Sequence, residues 1–149
     1  MNIQEGQKAP QFSLPDQEGQ QRNLNDYKGK WVLLYFYPKD DTPGCTVEAC
    51  SLRDNLPQFK GINAEILGVS TDTVESHKEF EQKYGLPFTL LADSEKRVVD
   101  LYGVQGLLGT KRSSFLINPE GLIVKIYESV DPNTHTEQVF NDLQAQVLK

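Results

Sequence analysis

The sequence predicts an α/β chain: a central mixed sheet flanked by helices. Three observations carry this expectation. Trp31 to Tyr37 is continuously apolar, as a strand buried on both faces should be. Apolar runs of strand length alternate with stretches whose apolar residues recur every three or four positions, giving the order β-α-β-α-β-α-β-β-α. The last two strands, Ser113 to Ile117 and Leu122 to Tyr127, flank Asn118-Pro119-Glu120-Gly121, whose turn chemistry makes them an antiparallel hairpin. At 149 residues one domain spanning 1–149 is expected. A chain of that size buries about two-thirds of its unfolded surface and needs no disulfide staple.

The elements follow in order. Gln11 to Leu14 and Gln20 to Leu24 flank Asp16-Gln17-Glu18-Gly19 and read as an N-terminal hairpin. After the Trp31 strand comes a helix with Cys45, Ala49, Leu52, Leu56 and Phe59 on one stripe, spaced 4, 3, 4 and 3. Pro57 falls inside that stripe, so a kink or an end near Leu56 is expected. Ala64 to Ser70 is a second buried strand. A helix from about Thr73 to Tyr84 carries Val74, His77, Phe80 and Tyr84 on one face. Thr89 to Ala92 is a short strand, and Asp93 suits the N-cap of a helix through Tyr102. The final helix opens on Thr134-His135-Thr136-Glu137, a capping-box pattern, with Val139, Phe140, Leu143 and Val147 as its stripe. The start of the chain and its terminal hairpin plus helix resemble a thioredoxin-like fold with an N-terminal β-hairpin extension.

Charge and hydropathy exclude several classes. Fifteen Lys and Arg stand against 21 Asp and Glu, a net charge of −6. No block of basic residues occurs, so neither nucleic acid nor an anionic membrane is an expected partner. No segment has the length and apolarity of a signal peptide or membrane span. A cytoplasmic protein is expected, with cysteines that are reduced unless they turn over.

The chemistry concentrates in Pro38-Lys39-Asp40-Asp41-Thr42-Pro43-Gly44-Cys45, with the second and last cysteine at Cys50. Thr42 suits an N-cap and Pro43 the first helical position, which puts Cys45 in the first turn. Unpaired backbone N–H groups and the positive end of the dipole favour an anion there, such as a thiolate. Read alone, Cys45 is more simply a small buried hydrophobe on the stripe; the Thr-Pro-Gly approach and the nearby cysteine favour redox chemistry. Five helical residues separate Cα atoms by about 8.6 Å. A disulfide rarely spans more than about 7 Å, so pairing Cys45 with Cys50 requires the helix to unwind. Otherwise Cys50 is a helix residue without a role. Two cysteines and two distant histidines, His77 and His135, lack zinc-ligand spacing, and no metal is expected.

These residues identify a resemblance. Phe36-Tyr37-Pro38 through Cys45, with Glu48, resembles the Pro-x-x-x-Thr-x-x-Cys signature of peroxiredoxins. Thr-Pro-Gly-Cys-Thr-Val-Glu-Ala-Cys resembles the bacterioferritin-comigratory-protein or peroxiredoxin Q group of atypical two-cysteine enzymes. Pro10 to Asp16, Leu67 to Asp72 and Arg112 to Ile117 extend the likeness almost end to end. The resemblance implies a thioredoxin-dependent peroxidase for hydrogen peroxide and organic hydroperoxides, often monomeric, without metal, haem or flavin. It implies Cys45 as peroxidatic nucleophile and Cys50 as resolving cysteine, joined in an intramolecular disulfide. Thr42 would hydrogen-bond thiolate and peroxide, and Pro38 would wall the pocket. Arg112 would stabilise thiolate and departing oxygen, with Glu48 orienting it. The segment Gly103 to Lys111 is shorter than the corresponding loop of many relatives, and Leu107-Leu108 is either an apolar lip or core packing.

A thiol with the ordinary pKa of about 8.5 is about 3% thiolate at pH 7. Lowering a thiol's pKa to about 6 raises that roughly 30-fold, while a Brønsted slope near 0.45 removes about 13-fold in nucleophilicity. The net gain is about twofold, so fast peroxide reduction requires donors aimed at the transition state. Two other functions use the same cysteines: thiol–disulfide exchange of the thioredoxin type, and non-catalytic redox sensing. The Cys-x-x-x-x-Cys spacing opposes the first, and turnover of peroxide separates catalysis from the second.

Overall fold

The computed structural model describes residues 3–107 and 109–148. Its centre is β3 (Trp31–Phe36), the apolar run of the sequence, paired parallel with β4 (Ala64–Ser70) and antiparallel with β8 (Ser113–Ile117). β5 (Thr89–Ala92) extends β4 in parallel, and β9 (Ile123–Tyr127) closes the other side, giving the order β5-β4-β3-β8-β9. The mixed sheet and its terminal hairpin match the expectation. β1 (Ser13–Pro15) and β2 (Gln21–Asn23) form the N-terminal hairpin, followed by a 3-10 turn at Leu24–Tyr27. Two short strands, β6 (Gln105–Gly106) and β7 (Gly109–Thr110), pair within the Gly103 to Lys111 segment.

Alternation along β3 divides the interior into two cores. Leu33 and Tyr35 of β3, with the adjoining Tyr37, point to α1 (Pro43–Gly61), α2 (Val74–Tyr84) and α4 (His135–Val147). Val32, Leu34 and Phe36 point to the N-terminal hairpin and α3 (Arg97–Leu101). Gly68 of β4 is required by the first core: a Cβ there would lie 2.8 Å from the Tyr35 ring.

Three local expectations are corrected. Of the two alternatives at Pro57, an end near Leu56 is ruled out: α1 runs through Pro57 to Gly61. Proline inside a helix costs about 3 kcal/mol, whereas burying a large apolar side chain returns about 1.5–3. Leu56 and Phe59, on either side of Pro57, are both buried, and Phe59 meets Phe140 edge-to-face at 5.5 Å. The capping box at Thr134 is not made. The Asp131 carbonyl accepts from the N–H groups of Thr134 and His135, and the Asp131 carboxylate accepts from Asn133, so that turn organises the start of α4. Finally α3 begins at Arg97, after Lys96 in a left-handed conformation (φ +63°). Asp93 still holds it, accepting from the Val99 N–H at 2.7 Å.

Among the described residues no helix is long and apolar enough to cross a membrane.

Candidate active site

The end of β3 delivers the chain to the site. Pro38 is exposed where the strand stops, and Asp41 turns the chain with φ +56°. Thr42 is the N-cap in extended conformation, Pro43 opens α1, and the Thr42 carbonyl accepts the first helical bond from Thr46 at 2.8 Å. Its hydroxyl does not cap the helix; Oγ1 donates to the Lys39 carbonyl at 2.8 Å. The oxygen lone pairs of Thr42 and the first N–H groups of α1 are therefore not committed to one another.

Cys45 is 2% exposed on the inner stripe of α1. The Arg112 Nη2 donates to its Sγ at 3.3 Å, and Nη1 donates to Glu48 Oε1 at 2.8 Å. Arg112 immediately precedes β8, 67 residues from Cys45, so the antiparallel pairing of β8 with β3 is what brings the charge to the sulfur. Gly44 clears the route: a Cβ there would stand 2.9 Å from Nη2. The motif supplied glycine at that position, but its function as a gap for the guanidinium emerges only with the fold.

Glu48 lies one turn beyond Cys45 and is fully buried. Burial pushes its carboxyl up to about 7, against the opposing pull of the Arg112 charge and hydrogen bond. The Arg112 guanidinium is held above its ordinary value: burial alone would lower it, and Cys45 and Glu48 outweigh that. His135, at the start of α4, is pushed down to about 4 by burial, with the Arg112 charge acting in the same direction. It is a neutral ring, paired through Nε2 with Ser114 Oγ at 2.8 Å.

The structure thus joins Cys45 and Glu48 through Arg112, with Thr42 at the helix entrance and Pro38 exposed at the end of β3. Cys50 is partly exposed on α1, and both thiols are free. Leu107 is fully exposed at the tip between β6 and β7, and so is not core packing; Leu108 lies outside the described residues. Sequence reasoning missed the polar cluster beneath the Pro38–Asp41 turn, in which Asp40 meets His77, Ser76 and Tyr37. The available signal was a histidine interrupting the apolar face of α2.

The sequence profile of the AhpC/TSA family matches residues 5–126. Peroxiredoxin Bcp of Bacillus subtilis is 42% identical over 152 residues, covering 97% of each chain. Peroxiredoxin Bcp of Escherichia coli K12 is 43% identical over 150 residues, covering 95% of this chain and 96% of the relative. Among solved structures, a mutant of Xylella fastidiosa PrxQ superposes with a TM-score of 0.93 at 36% identity over 98% of both chains. A Xanthomonas campestris bacterioferritin comigratory protein, studied for its alkyl peroxide reduction activity, gives 0.89 at 36% identity over 91% of this chain and 92% of that one. The thioredoxin-type sheet, the cysteine at a helix entrance with its arginine, and these likenesses agree: the chain belongs to the AhpC/TSA family, among the Bcp and peroxiredoxin Q peroxiredoxins.

Proposed function

We propose that this peroxiredoxin reduces hydrogen peroxide and organic hydroperoxides by a two-cysteine cycle within one chain. The Cys45 thiolate attacks the terminal peroxide oxygen. The S–O bond forms and the O–O bond breaks; the attacked oxygen keeps its hydrogen as the sulfenic acid, and the departing alkoxide or hydroxide takes up a proton from water. Arg112 stabilises the charge passing from sulfur to the departing oxygen, and Glu48 holds the guanidinium in place. Thr42 hydrogen-bonds the peroxide, and Pro38 limits access at the rim. α1 then unwinds so that the Cys50 thiol displaces water from the sulfenic acid, forming the Cys45–Cys50 disulfide. A dithiol protein of the thioredoxin type returns both thiols. The remaining parts of this reading are a single domain, acting as a monomer in the cytoplasm, without metal or other cofactor.

The observation that carries the proposal is the 3.3 Å contact between Arg112 Nη2 and Cys45 Sγ, with Glu48 behind it. It aims a fixed charge at the atoms where charge moves, the requirement left by the near-cancellation of acidity and nucleophilicity. Intact mass and disulfide mapping, seconds after adding one equivalent of hydrogen peroxide to the reduced protein, test it. Loss of two hydrogens with a Cys45–Cys50 link is expected. Oxygen addition at Cys45 without the link would remove Cys50 as resolver, and an unchanged mass would move the assignment to disulfide exchange.

A further inference from the structure

His77 is buried on α2, and each ring nitrogen faces an oxygen: Nδ1 meets Asp40 Oδ2 at 2.7 Å and Nε2 meets the Leu91 carbonyl at 2.9 Å. A carbonyl only accepts, so Nε2 carries a hydrogen. The Asp40 carboxyl group also accepts from Tyr37 OH at 2.6 Å and Ser76 Oγ at 2.8 Å. One hydrogen lies between Nδ1 and Oδ2, so ring and carboxyl are joined by a buried hydrogen bond. The Asp40 N–H donates in turn to Asp72 Oδ2 at 2.9 Å, which also accepts from Ser70 Oγ at 2.6 Å. Asp40, Asp72 and His77 place ligand-type atoms within 4.8 Å, yet these atoms are engaged with neighbouring protein groups, which makes the cluster a fastening.

We infer that His77 is a positioning residue for peroxide reduction: through Asp40 it fixes the turn from which Thr42 and the first turn of α1 receive their place. This rests on the peroxidase reading above. Asp40 stands two residues before Thr42, and the residue between them is in the left-handed conformation, so the direction of the chain at Thr42 follows from where Asp40 is held. Pro38 and Lys39 are exposed and supply no apolar anchor. The turn is therefore secured by polar contacts to α2 and to the loop that joins it to β4. Buried polar contacts return little net stability after desolvation, so the gain here is geometric.

The test is the rate constant for oxidation of Cys45 by hydrogen peroxide in the reduced protein, beside its alkylation by iodoacetamide and the melting temperature. Alkylation needs the thiolate but no donors placed around a peroxide. His77→Phe should slow peroxide oxidation by about tenfold or more, since misplacement by about 1 Å can cost 100-fold. Its alkylation should stay within about twofold, because the thiol itself is untouched. His77→Asn, whose amide replaces the Nδ1 donor to Asp40, should recover most of the peroxide rate. A lowered melting temperature with both rates unchanged would overturn the inference and leave the pair purely structural. Should His77→Phe fail to fold, Ser76→Ala removes one donor to Asp40 and is expected to slow oxidation about two- to threefold, a fraction of a typical hydrogen bond; an unchanged rate there overturns it equally. A native protein whose Cys45 ignores peroxide would instead sink the peroxidase reading, and the positioning role with it.

Discussion

At the scale of single residues, the site combines two buried titratable groups that pull stability in opposite directions. Glu48 has a folded pKa of about 7 against an ordinary 4.5. The stability associated with its protonated form is complete below pH 4.5 and is lost as pH rises through 7. His135 has a folded value of about 4 against an ordinary 6.5. Its contribution is complete above pH 6.5 and is lost as pH falls through 4. Between pH 4.5 and 6.5 folding takes up a proton at Glu48 and releases one at His135, so their slopes cancel. Glu48→Gln mimics the protonated carboxyl, which is the native form in that window, and leaves the amide oxygen to accept from Arg112. The cancellation then disappears. Acidification from pH 6.5 to 4.5 should destabilise Glu48→Gln by up to about 3 kcal/mol more than the native protein, at about 1.4 kcal/mol per proton per pH unit. Urea unfolding at the two pH values measures this. Parallel losses in the two proteins would mean that Glu48 does not titrate near 7.

At the scale of elements, α2 brackets the segment that the proposed cycle unwinds. The Tyr84 OH donates to Asp41 Oδ1 at 2.7 Å, ahead of Cys45, and Arg53 Nη1 donates to the Tyr84 carbonyl at 2.6 Å, beyond Cys50. Lys83 adds an exposed ion pair to Asp41, which water and salt screen. The two Tyr84 contacts can survive disulfide formation, so opening is confined between Thr42 and Leu52. Hydrogen exchange of the oxidised protein should be fast from Cys45 to Leu52 and slow from Leu56 to Phe59. Arg53→Met should let fast exchange advance toward Leu56; fast exchange through Phe59 in the native protein would refute the bracket. These contacts also mark what the sequence could reveal. Strand β3, the stripe of α1 and the β8–β9 hairpin were legible because periodicity and turn chemistry are local. The Thr42 to Cys45 approach was legible as a motif and a cap. The run of α1 through Pro57 was not, because long-range packing of Leu56 and Phe59 outweighs a local penalty. Nor was the pairing of Asp40 with His77, 37 residues apart, since neither residue marks its partner.

At the scale of the whole molecule, the sheet separates the redox site from half of the interior. Cys45, Ala49 and Leu52 belong to the core beneath α1, α2 and α4, whereas Leu67, on the same sheet, belongs to the core beneath α3 and the N-terminal hairpin. Leu52 and Leu67 are both 0% exposed, so truncation to alanine removes the same group from equally buried places. Each should cost about 2–5 kcal/mol in denaturant unfolding. Their effects on disulfide formation should differ. If Cys45 and Cys50 met only by global unfolding, either variant would accelerate the step by roughly tenfold for every 1.4 kcal/mol lost. Opening confined to the start of α1 releases the contacts of Leu52 and keeps those of Leu67. Leu52→Ala should then form the disulfide at least about tenfold faster after a single peroxide pulse, for a released share of about 1.4 kcal/mol. Leu67→Ala, equally destabilised, should stay within about twofold of the native rate, because its lost contacts are absent from both states compared. Equal acceleration in the two variants would mean that the sheet does not insulate the cycle and that the whole chain must open for each turnover.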